Sequence, residues 1–417
     1  MIDWVSQLQA RFPQRTRTST AEFAVGGMRP AIALSPANNN EAAQIIGFAA
    51  QNKIPVIPCG RRTNQELLAP PPSDFLLIST RSMESLIHHE PGDMVATVQA
   101  GMRFYAFSDA IAAQGQWLPI DAPPGATIGG IVAANTHGPR AWGYGKLRDM
   151  ILGMTVVNGD GVLRKCGAKV VKNVTGYSLD KLYIGSFGTL GLITEVTFKL
   201  RPLPAEGIFF EASFSTIAEG LSAMRAIAAR NLPLEMVRVF KLRDERAMPK
   251  VVVCATGTHT ELIRIENELR AAVPAVAFGD SDKEGHRSSA AQRSWVAGTR
   301  GYRRLKVFPM ECGATLRFGC TSSRLDSALK VVEIHQRGHW SLGTTDGVID
   351  ISPLTAPEAA RISSEFEKLS VNFAWENIVG VNIPNRWGAP RPEWALMKQI
   401  KSALDPAGIM NPGRFVV

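Results

Sequence analysis

Cysteine is scarce in this chain of 417 residues: Cys59, Cys166, Cys254, Cys312 and Cys320 make an odd set with no C-x-x-C spacing. Neither a disulfide framework nor an iron–sulfur or zinc site is suggested, and a reducing compartment is expected. Long apolar runs are missing as well. Nothing approaches the roughly 18–20 residues that span a bilayer, so any membrane contact is expected to be peripheral or through a partner. Met1 through Phe12 lacks the basic, apolar and small-residue succession of a secretory signal, so a cytoplasmic location is expected. There is no G-x-G-x-x-G after a first strand and no G-x-x-x-x-G-K-[ST], which leaves a Rossmann domain and a P-loop unsupported.

What is present describes a loop-rich globular protein: 45% hydrophobic and 20% charged residues, with 37 Gly and 26 Pro. Its length implies two or three folding units. The net charge of +9 invites a nucleic-acid reading, but the cations are spread evenly along the chain. The one acid-free basic stretch, Arg164, Lys165, Lys169 and Lys172, has no interleaved aromatics on which bases would stack. No nucleic-acid partner is expected.

Short strands near 31–34, 55–58, 75–78 and 95–100 alternate with helices at 41–52 and 104–114, an α+β or α/β pattern. Asn39 and Asn40 are good N-cap types for the first helix, whose Ala42, Ile45, Ile46 and Ala49 form one apolar stripe. Strands at 151–157 and 162–166 flank the hairpin signal Asn158-Gly159-Asp160-Gly161. After Arg201-Pro202-Leu203-Pro204 the glycine-dense pattern gives way, and a domain boundary is placed near residue 205. Beyond it, strands at 207–213, 250–255, 314–320 and 346–351 alternate with helices at 216–230, 259–272, 322–337 and 356–369, a second α+β unit.

Three segments carry candidate chemistry. Ile57 to Asn64 (IPCGRRTN) turns directly after an apolar strand, where main-chain N–H groups form either an anion nest or an ordinary loop. Asp121 to Gly138 is rich in small residues, which permit either close approach of a large ligand or tight internal packing. The third runs from Lys172-Asn173-Val174-Thr175-Gly176-Tyr177 through Gly185-Ser186-Phe187-Gly188-Thr189-Leu190-Gly191-Leu192-Ile193-Thr194-Glu195 to Leu200. Periodicity alone reads it as a short helix, a glycine loop and a strand.

In this order and spacing, the three segments resemble the FAD-binding domain of the vanillyl-alcohol oxidase/PCMH superfamily. The third, together with the ending Asp405-Pro406-Ala407-Gly408-Ile409-Met410-Asn411-Pro412-Gly413, resembles the FAD-linked 2-hydroxy-acid dehydrogenases. That group includes D-lactate dehydrogenases and the flavin subunits of bacterial glycolate oxidase. Asn173, Phe187 and Gly138-Pro139-Arg140 are similar to the smaller of those flavin subunits. The resemblance covers roughly residues 25–205 and 393–415.

It implies a PCMH-type FAD-binding domain of two α+β subdomains over 1–205, an α+β cap over 206–390, and a C-terminal segment, 391–417, returning to the FAD domain. It implies non-covalent FAD, with pyrophosphate on the loops at 58–64 and 125–138 and the isoalloxazine near 135–138 and 191–193. The cofactor contacts expected from it are Cys59, Gly60, Arg61, Arg62, Thr63, Asn64, Asp121, Gly125, Thr127, Gly129, Gly130, Ala133, Asn135, Thr136, His137, Gly138, Gly191 and Ile193. The resembling loops usually read G-G-G-T or G-x-G-T, and Arg61-Arg62 stand here where the later glycines are expected. Either their charge pairs directly with phosphate or the loop is degraded. No histidine lies in that loop to attach the flavin covalently.

The resemblance further implies oxidation of a short 2-hydroxy acid, glycolate first, by hydride transfer to flavin, within a complex containing a larger FAD subunit and an iron–sulfur subunit. The H-x-G-D-x-N-x-H motif of the large catalytic subunits is missing among His88, His89, His137, His259, His286, His335 and His339, and no metal site is expected. A stand-alone oxidase of a sugar, polyol or lactone and a catalytically silent FAD-bearing assembly subunit remain alternatives. Arg238, Arg243, Arg317 and Arg386 are carboxylate-binding types, each better read as a solvated surface residue. Tyr302, Trp375 and Trp387 are read as core or interface aromatics. No base is identifiable.

Overall fold

The structure, a computed structural model, describes residues 3–17, 20–65, 68–167, 178–241, 248–273, 279–280, 314–333, 340–351, 354–376, 383 and 386–416. It divides into two compact units. One comprises 1–137, 146–202 and 390–417, and the other 138–145 and 203–389.

The first unit holds two principal sheets. In the first, the strands run Thr16–Arg17, Ile32–Leu34, Leu76–Ser79, Val56–Cys59. The last three are parallel and the first pairs antiparallel with Ile32–Leu34. Their near-continuous apolar sequence follows from burial on both faces. Ile32, Leu34, Val56, Leu76 and Ile78 pack with Ala42, Ile45, Ile46 and Ala49 of the helix Asn39–Gln51. The alternate residues Ala33, Ile57, Cys59 and Leu77 pack with Phe23, Val25 and Phe75. That helix starts two residues earlier than its sequence suggests: Asn38, not Asn39 or Asn40, is the N-cap, its Oδ1 accepting from Glu41 N at 2.9 Å. Glu41 reciprocates by accepting from Ala37 N at 2.8 Å, so the pair satisfies two N–H groups at the helix start.

The second sheet is antiparallel, in the order Leu86–Glu90, Val95–Gln99, Gly191–Lys199, Ile151–Asn158, Leu163–Gly167. The helix Phe104–Ala112 buries Phe104, Phe107 and Ile111, the expected stripe. The C-terminal segment completes this unit. Met410 bridges Val56 in parallel, with Val56 N donating to Ile409 O and Asn411 N donating to Val56 O, both at 2.8 Å. Lys401, in the helix Glu393–Leu404, secures the same segment by donating to Thr189 O at 2.7 Å, Met410 O at 2.8 Å and the Asp405 carboxylate.

The second unit is an eight-stranded antiparallel sheet, in the order 279–280, 206–213, 250–257, 234–241, 340–342, 346–351, 314–319, 372–376. Alternate residues such as Val237, Val239, Val251, Val253, Leu316, Phe318 and Trp375 share one core with residues of the helices Ile217–Ala228, His259–Ala272, Leu325–Glu333 and Ala356–Lys368. Three of these helices begin with the same device, a Thr-x-x-Glu capping box at Thr216/Glu219, Thr258/Glu261 and Thr355/Glu358. The expected helix at 322–337 is a 3-10 turn, Ser322–Arg324, followed by Leu325–Glu333; its last four positions lie outside the described residues. The strands 86–90, 234–241 and 372–376 are additions to the sequence reading. No helix among the described residues is long and apolar enough to cross a membrane.

Candidate cofactor site

Within the first unit, three stretches of chain wall an open cleft. They are Pro58 to Gln65 with Leu68, Thr127 to Ala134, and Phe187 to Ile193. The first follows the strand Val56–Cys59, and Thr80, the residue just past its partner strand Leu76–Ser79, joins the wall. Loops at the carboxyl ends of parallel strands are where α/β sheets place ligands.

Gly60 is glycine because of a neighbour. A Cβ there would collide with Thr127 Oγ1, the same oxygen that N-caps the helix Ile128–Ala133 by accepting from Gly130 N at 3.3 Å. The first two walls therefore lie directly on one another. Gly129 is small for a different reason: its N–H donates to Ala100 O at 2.7 Å, and a Cβ would sit 2.8 Å from Ala100 Cβ. A Cβ on Gly191 would sit 2.7 Å from Val157 O. These two glycines serve packing against neighbouring strands while their segments line the cleft.

Polarity is unevenly distributed along the walls. Ala133, Ala134, Phe187, Leu192 and Ile193 make an apolar part. The loop 60–64 makes the polar part, and two of its side-chain donors, Arg61 Nε and Asn64 Nδ2, are buried with no hydrogen-bond partner. Arg81 donates to Gly60 O at 3.3 Å and stacks its guanidinium 5.1 Å from the Phe23 ring centroid. Burial, then Arg103 and Arg81, lowers the pKa of Arg61, with Glu84 acting against them. Arg62 differs from its neighbour. It adopts φ +65, a conformation that suits glycine, and its Nη1 donates to Ala24 O at 2.9 Å. Cys59 is 3% exposed, and burial pushes its thiol up to about 11 against Arg81, Arg62 and Arg414. It is a protonated wall residue at neutral pH.

The C-terminus braces these loops through Arg414 and Asn411, which the sequence offered only as part of an ending motif and not as site residues. Arg414 is 1% exposed. It donates to Ala69 O at 2.7 Å, Gln65 Oε1 at 2.8 Å, Gln65 O at 3.0 Å and Asn411 Oδ1 at 3.0 Å. Gln65 passes the restraint on by donating to Pro58 O at 2.8 Å. Asn411 Nδ2 donates to Phe187 O at 2.6 Å, and the Phe187 and Phe415 rings pack at 5.1 Å. The only sequence signal for this was the C-terminal N-P-G ending.

Of the expected contacts, Cys59, Gly60, Arg61, Arg62, Thr63, Asn64, Thr127, Gly129, Gly130, Ala133, Gly191 and Ile193 converge on the cleft. Asp121, Gly125, Asn135, Thr136, His137 and Gly138 are not in its walls. Asp121 is buried, Gly125 is a turn residue at φ +78, and Thr136 N donates to Ile131 O at 2.8 Å. His137 Nδ1 lies 2.9 Å from Asn135 O, and Gly138 groups with the second unit. Lys169, Lys172, Asn173, Gly176, Tyr177, Arg243, His286, Tyr302, Cys312, His335 and His339 lie outside the described residues.

In the second unit, Arg238 is held on the strand 234–241 by donating to Ser341 Oγ at 2.9 Å, Ser341 O at 3.0 Å and Asp346 Oδ2 at 2.9 Å. It is a buried structural arginine rather than the solvated one expected. Arg317 and Arg386 are half-buried. Trp375 is fully buried, its Nε1 donating to Ser363 Oγ at 2.9 Å, a core residue as expected. A further polar cluster has Tyr144 donating to Glu235 Oε1 at 2.8 Å, with Thr256 Oγ1 at 3.1 Å and Arg140 Nε 3.5 Å from Glu235 Oε2. Burial and the Glu235 charge raise the pKa of Tyr144.

The model for an FAD binding domain matches residues 30–167, and that for the C-terminal domain of FAD-linked oxidases matches 387–415. D-lactate dehydrogenase of Archaeoglobus fulgidus is 32% identical over 411 residues, 92% of this chain and 91% of that protein. The chain belongs to the FAD-linked oxidases. Glycolate oxidase subunit GlcD of Bacillus subtilis is 26% identical over 93% of this FAD-linked oxidase and 89% of its own length. A D-lactate dehydrogenase of Anaerostipes hadrus is 38% identical over only 43% of the chain and 38% of that protein. Among solved structures, 4-ethylphenol oxidase from Gulosibacter chungangensis superposes with a TM-score of 0.74 at 14% identity, covering 99% of this chain and 97% of that one. p-Cresol methylhydroxylase superposes at 0.70 and 17%, covering 98% and 92%. The fold is thus the α+β, PCMH-type flavoprotein fold, and FAD is the cofactor of this FAD-linked oxidase. Its cleft fits that molecule chemically: the buried donors Arg61 Nε and Asn64 Nδ2, without a protein acceptor, suit an anionic group, and the apolar wall suits a flat ring system.

Proposed function

We propose that this flavoprotein oxidises a short 2-hydroxy acid, glycolate first among them, as one subunit of a larger electron-transfer assembly. The observation that carries the reading is what three relatives matched over nine-tenths of this chain share. A D-lactate dehydrogenase, a glycolate oxidase subunit and a bovine mitochondrial D-2-hydroxyglutarate dehydrogenase, the last 32% identical over 92% of the chain, are named for different acids of one class. The class carries over better than any one acid; Phe187 and Gly138-Pro139-Arg140 favour glycolate within it.

FAD, when bound, supplies the two-electron acceptor for the hydride that leaves the α-carbon of the acid. The chain's own residues orient and shield. Arg61 and Asn64 offer donors at the anionic part of the cofactor. Leu192, Ile193 and Ala133 exclude water from the apolar wall. Cys59, protonated, neither takes the hydroxyl proton nor competes as a nucleophile. We assign cofactor binding to the domain of 1–205 closed by 391–417, and substrate selection to the cap of 206–390. The cofactor is taken as non-covalent, a reading supported by the loop 58–64, which has no histidine to attach it. Five cysteines without C-x-x-C spacing offer no cluster of their own, so electrons go either to oxygen or to a partner; the resemblance to a glycolate oxidase flavin subunit favours a partner, a larger flavin subunit with an iron–sulfur subunit. We place the assembly in the cytoplasm, with any membrane contact made through those partners.

Anaerobic mixing of the holoprotein with glycolate, D-lactate, D-2-hydroxyglutarate and a panel of polyols tests this. Bleaching of the flavin by glycolate, faster than by the other acids, is expected. Bleaching by a polyol alone points instead to a stand-alone oxidase. No bleaching by any 2-hydroxy acid, together with loss of activity when the chain is omitted from the assembly, points to a silent FAD-bearing subunit.

A further inference from the structure

We infer that Arg61 grips the anionic diphosphate of the flavin directly, and that its neighbour Arg62 does not. This rests on the FAD reading and deepens it by dividing two adjacent, chemically identical residues.

Both arginines line the cleft, but their side chains are committed differently. The Arg62 guanidinium has an acceptor in Ala24 O, and its backbone sits at φ +65. It ties the loop to residue 24 and carries conformational strain that a glycine would not. Arg61 has a buried Nε with no acceptor. Its electrostatic neighbours are mostly cations, Arg103 and Arg81, with Glu84 the opposing anion. A buried guanidinium N–H without an acceptor, in a field raised by two further guanidinium groups, costs stability unless an anion arrives. Asn64 Nδ2, also buried and without a partner, adds a neutral donor in the same loop. A dinegative diphosphate supplies acceptors for both and offsets the excess of positive charge. Phosphate pairing by an arginine thus replaces, at this position, the main-chain approach that a glycine would permit.

The consequence for the cofactor-free protein is unusual. Arg61 is a liability there, so Arg61→Gln should unfold at the same temperature as the unsubstituted apoprotein or higher, while binding FAD less well.

The test titrates apoprotein with FAD, ADP, riboflavin and inorganic phosphate at low and high salt, for the unsubstituted chain, Arg61→Gln, Arg61→Lys and Arg62→Gly. Arg61→Gln is expected to weaken FAD and ADP alike by about 10- to 100-fold, the worth of one charge-assisted bond. It should flatten their salt dependence and leave riboflavin unchanged. Arg61→Lys should recover part of the loss, and Arg62→Gly should bind FAD as well as the unsubstituted chain. Phosphate alone binding as tightly as ADP would reassign Arg61 to a free-phosphate site and overturn the inference. So would unchanged FAD affinity in Arg61→Gln, or an equal loss for riboflavin. If the unsubstituted chain binds ADP through Arg61 but not FAD, the grip on diphosphate stands and the FAD reading falls; if it binds neither, both fall.

Discussion

Burial sets the chemistry of Cys59 and makes it a reporter of the fold. Its thiol is pushed from the ordinary 9.0 up to about 11, so between those values the unfolded chain sheds a proton that the folded chain keeps. A raised pKa contributes stability that is full below about pH 9 and is lost as pH rises toward about 11. Two pH units correspond to at most about 3 kcal/mol. Denaturant unfolding at about pH 8 and about pH 10.5 should therefore show a loss in the parent chain that is smaller in Cys59→Ala; an equal loss in both would place the titration elsewhere. At this scale the sequence was partly legible. Position alone put Cys59, Gly60, Arg61 and Asn64 in a loop after an apolar strand. The separate fates of Arg61 and Arg62 were not legible, because they depend on Ala24 and Arg103, which approach only in the folded chain.

Among the elements, the C-terminal segment has the largest leverage on the cleft. Arg414 holds Gln65 by both side chain and main chain, and Gln65 holds Pro58, so a residue 349 positions later in the chain sets one wall of the site. Arg414→Met would leave the acceptors of Gln65, Ala69 and Asn411 buried without their donor. A loss of about 2–4 kcal/mol is expected by denaturant unfolding, with weaker FAD binding in titrations of the apoprotein; full FAD affinity in the variant would show that the loop holds itself. The N-P-G ending announced the return of the chain to the FAD domain but not the guanidinium network. The elements themselves were legible where hydrophobic periodicity was clean, as in the helices Phe104–Ala112 and Ile217–Ala228. The strand Leu234–Lys241 escaped because Glu235 and Arg238 interrupt its apolar pattern. Both charges are buried through partners far away in sequence, Tyr144 and Asp346 among them. The strand Leu86–Glu90 escaped because it is a mostly exposed edge with two histidines.

At the scale of the whole molecule, the chain divides into a unit that carries the cofactor cleft and completes itself with its own C-terminus, and a second built on an eight-stranded sheet. In the proposed reaction, five cysteines without C-x-x-C spacing offer no ligand pattern for an iron–sulfur cluster. The even excess of cations finds one local focus around the loop 60–64, where Arg81 and Arg103 stand near Arg61, the place proposed for the anionic part of the cofactor. The visible absorption spectrum of the gently purified protein bears most directly on the cofactor assignment at the centre of this functional account. The two flavin bands should be present, and, with the cofactor held non-covalently as proposed, denaturation should release FAD into solution at about one per chain. A colourless protein that also fails to take up added FAD would contradict it.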